Sequence, residues 1–200
     1  MAQNETDPTR EAARRRLIPL VLFLLFLGPL VLAAILYFGG PEFRPRETVN
    51  HGELIQPPVL LPALEHADGT LLRDVWTLVY LDDGSCGAAC RAALQDTRQV
   101  RLALGREGDR VRRLLFESGQ DALPDDLADQ HPDLVVVRVG PREADLLEAF
   151  PAPDDRSRQA AGRIYLVDPL GNLMMRYPPD TDPGGLLEDL ERLLRLSRIG

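Results

Sequence analysis

The stretch WTLVYLDDGSCGAACRAALQDTRQVRLAL, residues 76–104, decides the architecture of this chain. Trp76 to Tyr80 is a short apolar, β-rich run, and Asp82-Asp83-Gly84-Ser85 ends it, which reads as a buried strand entering a loop. From Gly87 to Leu104 the residues are helix formers. Ala89, Ala93, Val100 and Leu104 fall on one helical stripe and Gly105 stops it. The order is strand, loop, helix, and the loop carries Cys86 and Cys90, the only two cysteines in the chain.

Working outward toward the C-terminus, Val111 to Glu117 predicts a second strand, Asp125 to Gln130 a helical turn, and Leu134 to Val139 a third strand. Pro141 opens a short helix that includes Leu146, Leu147 and Phe150. Arg163 to Asp168 and Asn172 to Tyr177 flank Pro169-Leu170-Gly171, the composition of a hairpin turn. Leu186, Leu187, Leu190, Leu193 and Leu194 then recur at helical spacing between Pro183 and Arg198. This βαβ, β, α, ββα order, with a cysteine pair in the first strand-to-helix loop, resembles the thioredoxin-like α/β fold, a central mixed sheet flanked by helices.

Working outward toward the N-terminus, Leu17 to Phe38 (LIPLVLFLLFLGPLVLAAILYF) holds 22 residues without a charge. About 20 apolar residues in a helix cross an oily core about 30 Å thick. Arg10, Arg14, Arg15 and Arg16 precede the run and Gly39-Gly40-Pro41 follows it, so the basic side is expected to stay in the cytoplasm. A cleaved signal peptide would have a shorter apolar region and a small-residue cleavage site, and neither fits. Gly39 to Pro62 is rich in proline and reads as an extended tether. The expected organisation is a tail at 1–16, a transmembrane helix at 17–38, a tether at 39–62 and one periplasmic domain at 63–200, in a single-pass inner-membrane protein.

Composition narrows the partners. Beyond residue 38 there are 28 Asp and Glu against 19 Arg, so a phosphate backbone would be repelled and nucleic acid is excluded as a partner. The chain has no Lys at all, a compositional bias with no functional reading.

Cys86 and Cys90, four residues apart, share a helix face if both are helical, and a helix N-terminus favours thiolate over thiol. Two such sulfurs can exchange with a disulfide or hold copper(I). They are the candidate catalytic and metal-binding residues, with Cys86 at the loop mouth and Cys90 one turn along. Their Cα atoms are expected about 5 to 7 Å apart, within disulfide reach. A structural staple or plain packing is the competing reading, although a loop this short removes little unfolded-chain entropy. Asp82-Asp83 beside Cys86 would oppose a thiolate, or are simply a solvated turn. Met174 and Met175 point to opposite faces of a strand and suit the core better than a metal.

The CxxxC pair and the strand-turn element Ile164-Tyr-Leu-Val-Asp-Pro-Leu-Gly171 resemble those of Sco-type copper chaperones of cytochrome oxidase assembly. Three segments are similar to a small transmembrane protein found beside cytochrome c oxidase assembly genes in Gram-negative bacteria. They are Asn50-His-Gly-Glu-Leu54 with Pro57-Pro58, Arg98-Gln-Val-Arg-Leu-Ala-Leu-Gly105, and Tyr165-Leu-Val-Asp-Pro-Leu-Gly-Asn-Leu-Met-Met-Arg-Tyr177. The resemblance implies a membrane-anchored, thioredoxin-like accessory factor in oxidase biogenesis. Its cargo would be copper, its partners oxidase subunits or other assembly factors, and its chemistry that of Cys86 and Cys90.

Two departures stand against it. Sco-type proteins add a histidine before the strand matching Ile164 to Val167, where this chain has Arg158-Gln-Ala-Ala-Gly162. Thioredoxin-type oxidoreductases place a cis-proline before that strand, where this chain has Gly162-Arg163. His51, His66 and His131 are expected to be solvated loop residues, with His51 the best outside candidate for a ligand. A non-catalytic scaffold that keeps the fold, with a structural or vestigial cysteine pair, is the alternative.

Overall fold

The computed structural model describes residues 8–38, 49–67, 69–82, 84, 86–119, 122–151, 162–197 and 199. The chain divides into two units, Met1–Thr48 and Val49–Gly200.

In the first unit, α1 runs unbroken over Pro8–Phe38, 31 residues, and passes through Pro19 and Pro29. Phe23, Leu24, Leu25, Phe26 and Leu30 are more than half exposed. The part of α1 whose side chains are described is shorter than the helix itself, and among the described residues no helix is long and apolar enough to cross a membrane.

In the second unit, the elements in chain order begin with β1 (Glu53–Leu60), β2 (Leu64–His66), β3 (Gly69–Leu71), β4 (Trp76–Asp82) and α2 (Ala88–Ala103). Then follow β5 (Val111–Glu117), α3 (Leu127–Gln130), β6 (Leu134–Arg138), α4 (Pro141–Glu148), β7 (Ile164–Val167), β8 (Asn172–Tyr177) and α5 (Pro183–Leu196). Six strands form one mixed sheet in the order β1-β8-β7-β4-β5-β6, and β2 pairs β3 in a separate hairpin. β4 runs parallel to β5 and antiparallel to β7, which makes it a central strand. Its residues Trp76 to Leu81 are all buried, as a strand covered on both faces requires.

Side-chain alternation splits the core into two layers. On one face Leu78, Tyr80, Leu115, Leu166, Met175 and Tyr177 meet Cys90, Leu94 and Val100 of α2 and Leu186, Leu190 and Leu194 of α5. On the other, Val79, Leu114, Phe116, Tyr165 and Leu173 meet Leu146 of α4, Phe150, and Leu61, Leu71 and Leu72. Met175 is sealed in the first layer and Met174 packs at its margin, so the methionines serve the core.

Part of the stretch expected as tether is instead sheet. β1 lies antiparallel to β8, with Leu54 opposite Met175 and Leu60 opposite Asn172, and the register shifts between Leu54 and Val59. Pro57 and Pro58 fall in that shift, and a strand with two missing N–H groups is tolerated only at a sheet edge. The entry to β1 is held by Asp189 of α5, which is buried. Its carboxylate accepts the amides of His51 (3.0 Å) and Gly52 (2.9 Å) and the hydroxyl of Tyr177 (3.1 Å). A side chain at Gly52 would have its Cβ 2.6 Å from the Tyr177 ring, so only glycine passes there.

Candidate redox site

β4 ends at Asp82, and the chain turns immediately into α2. Asp82 Oδ2 accepts the amide of Cys86 at 2.9 Å and that of Gly84 at 3.3 Å, folding the loop back on the strand end. From the other side, the Ser118 amide and hydroxyl both donate to the Asp82 carbonyl at 3.0 Å. Gly119 lies so close that a Cβ there would sit 2.5 Å from the Gly84 carbonyl oxygen. Cys86 has φ +53°, a left-handed conformation that costs a non-glycine residue on the order of 1 kcal/mol and concentrates at sites the surroundings over-determine.

Cys86 is joined to Cys90 by a disulfide, with the Cα atoms 5.0 Å apart. Cys90 lies in the first turn of α2, which starts after Gly87 and has no acidic residue in that turn; among the described residues the negative group nearest in sequence to the positive end of the helix is Asp82, on the Cys86 amide. Cys86 is expected from the sequence at the mouth of the strand-to-helix loop. It is 1% exposed, as is Cys90, and both belong to the core cluster that includes Tyr80, Leu94 and Leu127. The pair is therefore a shielded disulfide.

A second carboxylate stands beside the first. Glu117 ends β5 directly opposite Asp82 in the register. It is fully buried; Oε2 accepts Arg138 Nε at 3.0 Å, and Oε1 has no hydrogen-bond partner among the described residues. Alternation puts both carboxylates on the cysteine side of the sheet. Sequence reasoning singled out Asp82 but missed Glu117, whose only signal was an acidic residue closing the apolar strand VRRLLFE.

Two residues before β7, Gly162 has φ +80° and donates its amide to the Leu81 carbonyl at 2.8 Å. A proline there would lack that donor, so the departure from the oxidoreductase pattern is built into the backbone.

The histidines are elsewhere. His51 Nε2 lies 3.0 Å from Glu188 Oε2, and its ring lies over Gly185 of α5. His66 ends the β2 strand of the small hairpin. His131, expected in solvent, is 3% exposed and lies 3.4 Å from Arg113 Nη2. Arg113 is itself buried under α2 and donates to Thr97 Oγ1 (3.1 Å), the Leu94 carbonyl (2.5 Å) and Asp133 (3.0 Å). No sequence pattern predicted this network, because an arginine in a strand reads as a solvent-facing position. Among the described residues no group of three or more His, Cys, Asp or Glu is placed to hold a metal.

Burial, followed by repulsion from Arg113, holds the His131 imidazole below its ordinary pKa. Burial works against the charged form of Asp133, but Arg113 outweighs it and the carboxyl titrates below its usual range. The signs agree in their direction. The unfolded chain takes up a proton on histidine near pH 6.5 that the fold refuses, and at lower pH the carboxylate's contribution is lost as Asp133 is protonated. Denaturation midpoints are expected to fall as pH drops below about 6.5, and His131→Gln to flatten the first part of that decline. An unchanged profile in the variant would remove His131 from the account.

Known structures share this fold. Sco1 from Thermus thermophilus superposes with a TM-score of 0.56 at 18% identity, over 74% of this chain and 99% of its own. Yeast Sco1 gives 0.53 at 15% identity, over 70% and 97%. A thiol:disulfide interchange protein of the thioredoxin family from Chlorobium tepidum gives 0.52 at 16% identity, over 70% and 99%. No curated protein sequence matches the chain. The family model described as transmembrane-like, thioredoxin-like, C-terminal domain matches residues 76–197, from the first residue of β4 to just past α5. With more than half its length so matched, and with the thioredoxin-like fold of the Sco proteins, the chain belongs to that transmembrane-like, thioredoxin-like family.

Proposed function

We propose that this protein is a membrane-anchored accessory factor of cytochrome c oxidase biogenesis that works through two-sulfur chemistry at Cys86 and Cys90. The observation that carries the reading is their position. They are bonded to each other at the C-terminal end of the central strand and the N-terminus of α2. The fold is shared with yeast Sco1 solved with copper bound, at a TM-score of 0.52 and 14% identity, and with the Chlorobium interchange protein. These likenesses support the proposal.

Reduction of the disulfide by an incoming dithiol adds two electrons and two protons and yields two thiols. As thiolates, with Cα atoms 5.0 Å apart, they form a two-sulfur set suited to copper(I) as cargo. Copper(II) would want an imidazole, and none of the three histidines is placed with the pair.

The full chain in detergent, reduced and titrated with copper(I) against a chelator, is expected to bind one equivalent, and Cys86→Ser/Cys90→Ser none. A wild-type disulfide that dithiothreitol cannot reduce while the protein stays folded would end the proposal. The second reading, a binding scaffold with an inert pair, is favoured by the burial of both sulfurs and by the glycine at 162.

The anchor belongs to the proposal as well. The uncharged run of α1, 22 residues at about 1.5 Å each, is about 33 Å long and matches a bilayer core. Arg10 to Arg16 then face the cytoplasm, and the domain lies in the periplasm. A reporter active only in the periplasm, fused after Gly200, is expected to work. Activity of a cytoplasmic reporter alone at that position would reverse the topology.

A further inference from the structure

The loop that carries the disulfide is built against a pair of carboxylates. Asp82 and Glu117 are register neighbours on parallel strands, on the face that holds the cysteines, and like charges directly opposite are normally unfavourable. Each has a local compensation: Asp82 takes the amides of Gly84 and Cys86, and Glu117 takes Arg138. On α2, Arg91, next to Cys90 in sequence, pairs with Asp126 at 3.1 Å. Among the described residues, Glu117 has one oxygen without a partner, in a fully buried position. The amide of Cys86, which would otherwise be free to stabilise negative charge on its own sulfur, is spent on Asp82.

We infer that Asp82, backed by Glu117, is a positioning and electrostatic residue that sets the balance of the cysteine pair toward the disulfide. The inference rests on the two-sulfur reading above. Opening the bond takes up two electrons and two protons, and the Asp82 carboxylate at the Cys86 amide, with Glu117 opposite it, disfavours ionisation of the thiols and so withholds from the dithiol the stabilisation a thiolate would give it. The same carboxylate holds Cys86 in its left-handed conformation. The dithiol is then the less stable form, and the pair's direction of work is to give electrons away. A thiolate of the pair attacks a partner's disulfide and forms a mixed disulfide. The second thiolate displaces the partner's sulfur, and the partner leaves as a dithiol while Cys86–Cys90 closes. Two electrons and two protons pass to the partner, and an external dithiol restores the reduced pair.

The test is an equilibrium between the full chain in detergent and dithiothreitol at fixed ratios of oxidised to reduced reagent, read by thiol alkylation. Asp82→Asn keeps an acceptor for both amides and removes the charge. It is expected to raise the dithiol-to-disulfide ratio about tenfold, and Glu117→Gln about threefold. Asp82→Ala removes the clamp as well. A shift in Ala without one in Asn leaves only a structural clamp and overturns the electrostatic claim. So does a change of less than twofold, or one toward the disulfide, in Asn. If Asp82→Asn fails to fold, Glu117→Gln decides. A wild-type pair that is never reduced in the folded protein refutes the function proposed above together with this inference. A reducible wild type with an unshifted Asn variant refutes the inference alone.

Discussion

Arg113→Ala is expected to lower the free energy of unfolding by about 3 to 5 kcal/mol, the largest single-residue effect in the domain. The guanidinium is 1% exposed and reaches across the layer between sheet and helix to four groups: Thr97, the Leu94 carbonyl, Asp133 and His131. Truncation leaves a void beneath α2 and strands Asp133, which is one-quarter exposed, without its closest cation. Arg113→Met fills the void without replacing the charge and should recover part of the loss. Chemical denaturation of the three proteins measures this directly. A cost under about 1 kcal/mol for alanine would mean that water replaces the arginine without penalty.

Under the function proposed above, Cys86→Ser/Cys90→Ser is expected to abolish support of oxidase assembly while leaving the domain folded. The loop closed by the disulfide spans a sequence separation of four, so its loss relieves little unfolded-chain entropy, and the core around it is filled by neighbours on both strands and α2. Serine changes volume slightly but removes both the nucleophile and the soft ligand. Oxidase copper content in a strain carrying the double variant should fall to that of a deletion strain, with added copper restoring part of it. Wild-type copper content at wild-type protein abundance would transfer the function to the scaffold reading. Exchange of the Leu17 to Phe38 helix for an unrelated anchor would then be the damaging change.

From Trp76 onward the strands and helices were legible because each carries a local pattern. Trp76 to Tyr80, Val111 to Glu117 and Leu134 to Val139 are apolar β-rich runs between breakers, and α5 repeats leucine at helical spacing. The pairing of Cys86 with Cys90 was within reach of their spacing. Burial of that pair was not, because it depends on a core cluster assembled from strands and helices far apart in the chain, Leu115, Leu127, Leu166 and Leu186 among them. β1 was missed for a related reason. Pro57 and Pro58 argue locally against a strand, and only the free edge of β8 makes one possible. Glu117, Asp189 and the Arg113 network were invisible because a charged residue in an amphipathic pattern reads as solvent-facing until a tertiary partner is known.

The pairing of β1 with β8 also determines where the chain can be cut. A shortened version that begins at Leu64 would keep every residue of the cysteine loop and of the helices that cover it. It would also bare the backbone edge of Asn172-Leu-Met-Met-Arg-Tyr177 and leave Asp189 without the amides of His51 and Gly52. An uncovered, largely apolar strand is a template for another copy of itself. The segment that looks most dispensable in the sequence is the one that covers this edge.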